Sequence, residues 1–320
     1  MKHLVTLSAA AVLLATTAAV AEPGKWTDEP VRIVVTFPPG GTSDLIARVL
    51  AQYFESEYGQ KTVVDNRPGA GGTVAADYVA QQAPDGTTLI LGNNAPFTIA
   101  PTQFETLPYE PLGSFTHIAN LGASTPGLFV QPKLGITDLP GFIELANGAG
   151  VTYGSSGVGS ITHILGNAVD NALEIETIHV PYQGSAPAIQ DFRAGVLDAF
   201  YDSLAQNASM IEDNEVVPLG VASAERMARF PDIPTFREQG YDVVIQNWTG
   251  LSGPAGMDPA MVETIHDTVE AVMAMPAVIE QMDAWGISHT PMTSEEFTTF
   301  VGSTVEVWRP LILAAKVNGG

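Results

Sequence analysis

Three loops of this chain concentrate glycine and hydroxyl side chains. Pro38–Ser43 reads PPGGTS, Gly154–Thr162 reads GSSGVGSIT and Tyr182–Ser185 reads YQGS. Glycine lets the backbone turn tightly and present its N–H groups. Where such a loop runs into a helix, up to four first-turn N–H groups lack partners and the helix start carries partial positive charge. Together these bind an anion without lysine or arginine. Gly40, Gly41, Thr42 and Ser43 are the candidates in the first loop. Ser155, Ser156, Gly159 and Ser160 are those in the second, and Ser185 is that of the third. Asn93 ends a strand pattern and offers a polar contact. Asp202 ends another and suits an amine, a hydroxyl or water. His163 falls in the first helical turn after the second loop, within reach of a ligand. The same residue types also serve local structure. Thr42, Ser43, Ser185 and Asp202 are all competent helix caps, and His163 can pack or cap.

Catalytic signatures fail. There is no G-x-x-x-x-G-K and no H-E-x-x-H, and Gly69–Val74 lacks the third glycine of the dinucleotide fingerprint. Val158 breaks a G-x-S-x-G reading of the second loop. With no cysteine and six scattered histidines, no metal site or cofactor is expected. A hydrolase using Ser160 or Ser156 with His163 stays open as an alternative; it requires a base and an orienting group that the sequence does not display.

The elements that must position these loops alternate. Val31–Phe37 is a β-branched run, followed at helical spacing by Leu45, Ile46, Val49, Leu50 and Phe54. Thr62–Asn66 and Thr88–Leu91 are further strands, the first followed by a helix carrying Val74, Tyr78 and Val79. The rhythm resumes at Val151–Tyr153 and runs through strands at Thr177–Val180, Val196–Tyr201 and Val216–Val221. Helices are expected at 186–194 and 204–211. The end is helical, with Val262, Ile265, Val269 and Val272 on one face and a long amphipathic stretch from Phe297 to Ile312. Strand–loop–helix repetition implies mainly parallel sheets flanked by helices. The fold class is α/β: two lobes, each a mainly parallel sheet flanked by helices, joined by two crossing segments. Thr116–Gln131 and Asp242–Gly253 are the hinge candidates. The organisation expected is lobe 1 at 22–122 and 246–320, and lobe 2 at 123–245. Ligands bind at the carboxyl ends of parallel strands, where the Gly-rich loops of both lobes lie.

Residues 1–21 read as a signal peptide. Lys2 precedes an apolar stretch from Leu4 to Ala15, and Ala19–Ala21 is an A-x-A site, so cleavage is expected after Ala21. The chain has 320 residues, of which 45% are apolar and 15% charged, enough for two real cores. Without cysteine it folds with no disulfide and takes no lipid anchor. Its 35 acidic against 13 basic residues give a net charge of −22. That balance, with no basic run, argues against nucleic acid and against an anionic membrane surface. A soluble monomer is expected.

The ordered series of loops resembles a known family. Phe37–Asp44 (FPPGGTSD), Asn66–Gly72 (NRPGAGG), Pro84–Leu89 (PDGTTL) and Leu107–Pro111 (LPYEP) are similar to the signature of the Bug receptors. These are the substrate-binding subunits of tripartite tricarboxylate transporters. The match continues through Tyr153–Ser160, His179–Pro187, Phe230–Thr235 and Gly250–Gly256, nearly the whole chain beyond the signal. The resemblance implies a periplasmic clamshell that closes on a small organic acid. The carboxylate would be held by backbone N–H groups, hydroxyls and water. Gly40–Ser43 would act from one lobe, and Ser155, Ser156, Gly159 and Ser160 from the other, with Ser185 and Asp202 nearby. It also implies the large and small membrane subunits of the transporter as partners. A sensor docking on a membrane receptor kinase is the alternative role for the same clamshell. Val158, Asn93–Ala95 and Thr249 depart from the commonest family pattern, so the identity of the acid does not carry over.

Overall fold

The computed structural model describes residues 22–182, 184–227 and 229–314, so the signal segment lies outside the described residues. Strand β1 (Val31–Val35) leads through the first Gly-rich loop into helix α1 (Thr42–Tyr58). Ile46, Leu50 and Phe54 recur every four residues on α1 and are its buried face; Gly59 at φ 66° stops it. Strand β2 (Thr62–Asn66), helix α2 (Thr73–Ala80) and strand β3 (Thr88–Asn93) follow. A π-helical turn at Ala95–Ile99 runs into the short helix α3 (Ala100–Gln103). Strand β4 (Phe115–Ser124) passes through Thr125 directly into β5 (Pro126–Val130). Helix α4 (Leu139–Gly148), strand β6 (Thr152–Ser155), helix α5 (Ile161–Leu173), strand β7 (Ile178–Pro181) and helix α6 (Ser185–Arg193) build the second half. Strand β8 (Ala199–Ser203), helix α7 (Ala208–Glu212) and strand β9 (Val217–Val221) complete it. The chain returns through β10 (Asn247–Pro254), α8 (Pro259–Met273), α9 (Pro276–Ala284), β11 (Ile287–Ser288) and α10 (Ser294–Ala314).

Two sheets result. The first has the order β11-β4-β10-β3-β1-β2 and the second β7-β6-β8-β5-β9. Ile33 of β1 sits between Val64 of β2 and Leu89 of β3, all three running parallel. β6 is likewise parallel to β7 and β8. The remaining pairings are antiparallel. The sheets are therefore mixed rather than mainly parallel. The reason is topological: β5 and β10 belong to the segments that cross between the halves and run against the βαβ strands, and β4, β9 and β11 pair antiparallel with their neighbours in turn. The expected extended stretch 116–131 is thus two strands of different sheets. The helix expected at 204–211 begins only at Ala208, because Leu204–Asn207 forms a turn instead.

Each lobe packs helices on both faces of its sheet. In the first, α1 and α8 bury Ile46, Leu50, Phe54, Ile265 and Val269 on one side. On the other side Val79, Phe97, Trp248, Phe297 and Val301 pack from α2, the π-turn, β10 and α10. In the second, α4 and α5 contribute Phe142, Ile164 and Leu165, while Phe192, Phe200 and Met210 fill the opposite side. Helix α10 serves both halves. Its Phe297 and Val301 lie in the first lobe's core, and its Trp308 and Ile312 in the second's. Among the described residues no helix is long and apolar enough to cross a membrane.

Candidate functional site

The parallel strands of both lobes end in the loops that the sequence singled out. β1 delivers Gly40 and Gly41, β2 delivers the turn Ala70–Gly72, and β6 delivers Ser155–Ser160. Gly40 has φ 88°, a left-handed conformation that a side chain would strain. Gly41 is the N-cap of α1 and gives it no side-chain cap. The N–H groups of Thr42, Ser43 and Asp44 therefore open the helix with no partner four residues back. The cap is Gly41, not Thr42 or Ser43. Helix α2 begins in the same way behind Gly72, and α6 behind Gly184. Of the other helices, α4 and α8 are closed by the carboxylates of Asp138 and Asp258 and α5 by Ser160, while α7 and α9 start without a side-chain cap.

Asp44 braces the first loop. Its carboxylate accepts from the Gly40 N–H at 2.9 Å, from Arg48 at 2.9 Å and from Asn66 at 3.0 Å. Burial works to raise its pKa, but those three donors outweigh it and the net shift is downward. The cations beside the first-lobe loops are thereby committed. Arg48 pairs with Asp44, and Arg67 pairs with Asp65 while lying 3.6 Å over the Tyr78 ring.

The second-lobe loop is held by its own hydroxyls. Ser160 caps α5 by accepting from the His163 N–H, donates to the Gly157 carbonyl at 2.7 Å and lies 3.0 Å from Thr162 Oγ1. Ser156 bonds to Thr162 through both its N–H and its hydroxyl, each at 2.9 Å. Ser155 is buried against His179, with Oγ and Nε2 2.6 Å apart. His163 stacks on His179 at 4.0 Å between ring centres and accepts the Gly159 N–H on Nδ1 at 3.2 Å. Burial lowers the pKa of both rings; that of His179 falls to about 4, with the neighbouring His163 adding to the effect. Two neutral imidazoles thus buttress the loop. Ser160 makes no hydrogen bond to an imidazole, and among the described residues no carboxylate bonds to His179, so the hydrolase geometry is not assembled.

Ser185 and Asp202 are brought together in the same lobe but as a brace. Ser185 Oγ donates to Asp202 at 3.1 Å, and Asn207 donates to the other carboxylate oxygen at 3.0 Å. Burial raises the Asp202 pKa against the pull of those donors. Asp202 caps no helix, since α7 starts beyond Asn207. Asn93 folds back on the Ala95 N–H at 3.0 Å. Its neighbour Asn94 reaches Gln246 O at 3.2 Å and so ties β3 to the returning crossing segment. Thr36 Oγ1, Asn94 Oδ1 and Ser203 Oγ are buried with no hydrogen-bond partner among the described residues. All three stand at or just past the carboxyl end of a parallel strand, in both lobes.

Between the lobes lies a cavity of about 310 Å³. Ala70, Gly71, Ile99 and Phe104 line it from the first lobe, and Val158 and Gly159 from the second. Gly159 was expected there. Ala70, Ile99, Gln103 and Phe104 were not, because the π-turn and α3 give no periodic signal. The signal available in the sequence was the glycine run Gly69, Gly71 and Gly72 around Ala70, which the structure holds at a strained φ of 45°. A cavity of about 390 Å³ between α8, α9 and β11 is larger but shares no residue with the Gly-rich loops. The lobes also meet at Gln206, whose amide donates to Thr42 Oγ1 at 2.6 Å.

Residues 46–317 match the family described as the tripartite tricarboxylate transporter family receptor. The chain belongs to that family. The receptor is 29% identical to Protein BugT of Bordetella pertussis over 287 residues, 88% of either chain. Its structure is similar to that of Rpa4515 from R. palustris with adipate, at TM-score 0.82 and 28% identity over 92% of this chain and 99% of that one. It is similar to MatC from Rhodopseudomonas palustris with bound malate, at TM-score 0.77 and 27% identity over 88% and 98%. It is also similar to the periplasmic binding protein BugD, at TM-score 0.78 and 28% identity over 91% and 99%. These likenesses establish the two-lobed binding-protein fold and a solute receptor rather than an enzyme family.

Proposed function

We propose that this receptor is exported, with cleavage after Ala21, and captures a small organic acid between its lobes. It then delivers the acid to the large and small membrane subunits of a tripartite transporter, acting as a monomer without cofactor or catalysis. The observation that carries the reading is the choice of N-cap. Helices α1, α2 and α6 begin behind glycine with no side-chain cap, and the Ala70–Gly71 turn that leads into α2 lines the inter-lobe cavity, whereas α4 and α8 are closed by Asp138 and Asp258. Free first-turn amides attract a carboxylate where no free cation is offered. Gly40, Gly41, Thr42 and Ser43 supply the first-lobe donors. Ser155, Ser156, Gly159, Ser160 and His163 shape the second-lobe wall, and Ser185 and Asp202 hold it in place behind. Asn93 sets the turn that leads to the cavity. The adipate and malate carried by the related structures support a carboxylate as the class of ligand.

Capture works by closure. A carboxylate touching both lobes makes more contacts closed than open, and that difference shifts the population. The hinges are the crossing segments Thr116–Gln131 and Asp242–Gly253, within which the chain passes between lobe 1 (22–122 and 246–320) and lobe 2 (123–245). A thermal-shift panel of mono-, di-, tri- and aromatic carboxylates on refolded, ligand-stripped protein tests this. Ligand at 100 times Kd stabilises by about 2.7 kcal/mol, a shift of roughly 5–10 °C. Gly41→Asp should abolish that shift through bulk and repulsion. A panel without any shift, or an unaltered response in Gly41→Asp, refutes the reading.

A further inference from the structure

The cavity between the lobes has an unusual wall for a receptor of multiply charged acids. Among the described residues that line it none carries a charge, and Gln103 supplies the one polar side chain. The backbone donors of the wall are largely spent. The Gly159 N–H is committed to His163 Nδ1, the Ala95 N–H to Asn93 Oδ1 and the Phe104 N–H to the Ala100 carbonyl. Open amides remain at the turn of Ala70 and Gly71, which gives them no partner four residues back, and at Val158, whose N–H has no acceptor among the described residues. Opposite that turn in composition are Ile99, Phe104 and Val158, and Val158 keeps 60% of its surface exposed at the tip of the second-lobe loop. An apolar side chain held out at a cleft is covered when something apolar sits against it.

We infer that the receptor takes a monocarboxylate with an apolar body, its single charged end on the Ala70–Gly71 turn and its body against Ile99, Phe104 and Val158. The inference rests on the carboxylate-receptor reading and narrows it. A second ionised carboxylate in this space would meet the side-chain amide of Gln103 and the lone Val158 N–H, with no cation, too little to replace its hydration. At roughly 30 Å³ for each water-sized group, 310 Å³ holds about ten non-hydrogen atoms. Octanoate and adipate both have about that number, so they are a matched pair that differs in the far carboxylate.

Titration calorimetry of both acids on the refolded, ligand-stripped chain decides the matter. Octanoate should bind at least about tenfold tighter than adipate. From butanoate to octanoate the affinity should rise about fourfold for each buried methylene. Val158→Ser, at an exposed position that will not unfold the lobe, should weaken octanoate by about fourfold and adipate, with its shorter apolar stretch, by less. Gln103→Arg should turn the preference toward adipate. Adipate binding as tightly as octanoate, or affinity flat with chain length, overturns the inference and leaves the receptor reading standing. Failure of both acids and of every other carboxylate in the panel overturns the two together.

Discussion

Gln206→Ala tests whether the contact between the lobes is part of capture. Gln206 belongs to the turn after β8, and Thr42 opens α1 in the other lobe, 164 residues away. Their side chains meet at 2.6 Å in an exposed position. A neutral side-chain hydrogen bond is worth about 0.5–1.5 kcal/mol net, which is about two- to twelvefold in Kd if the bond forms only on closure. Titration of Gln206→Ala with the best acid from the panel should show a loss in that range. The ligand-free Tm should move by less than about 2 °C, as for other surface changes. Thr42→Ala should lose more, because it removes this bond and a ligand donor together. The double variant then isolates the bond, since its coupling energy excludes the ligand contact. An unchanged Kd in Gln206→Ala, or a fall in ligand-free Tm that accounts for the whole effect, refutes the link between this bond and closure.

Three further outcomes follow from the geometry. Gly72→Ala places a methyl 3.0 Å from Thr36 Cβ and 3.2 Å from Pro96 at φ 90°, so it should cost about 2–3 kcal/mol, read as a lower denaturant midpoint at unchanged slope. Ser160→Ala removes the cap of α5 and the bond to Gly157, which should cost about 1 kcal/mol and weaken ligand binding in the same titration. His117 is buried, and burial pushes its pKa down to about 4 against the pull of the Pro111 carbonyl. Unfolding below pH 6.5 therefore takes up a proton at this ring, and stability falls as the pH drops from 6.5 toward 4. Denaturation curves of the parent and of His117→Gln should converge over that window by about 1.4 kcal/mol per pH unit; parallel pH profiles would contradict the assignment.

Much of this architecture was legible because it is periodic. The run Val31–Val35 and the four-residue rhythm of Ile46, Leu50 and Phe54 are local signals, and both elements lie where the pattern puts them. Strand pairing was not legible. Residues 116–131 read as one extended stretch, but only the tertiary fold decides that its two halves join different sheets in antiparallel fashion. Site residues divide in the same way. Gly40 and Gly41 are informative because glycine has a backbone reason to be there. Hydroxyls are ambiguous: Ser160 can cap or bind, and here it caps, while Asp202 braces Ser185 and Asn207. Ile99 and Phe104 were hidden because a π-turn interrupted by Pro96 and Pro101 has no repeat to detect.

The path of α10 bears on how the chain matures. The first sheet needs β10 and β11, both made after residue 246, and the second core needs Trp308 and Ile312. During synthesis the first core cannot be completed until the opening turns of the final helix exist, nor the second until its last turns do. A partial chain thus exposes apolar surface on both halves and remains a substrate for holding factors rather than a folded stump.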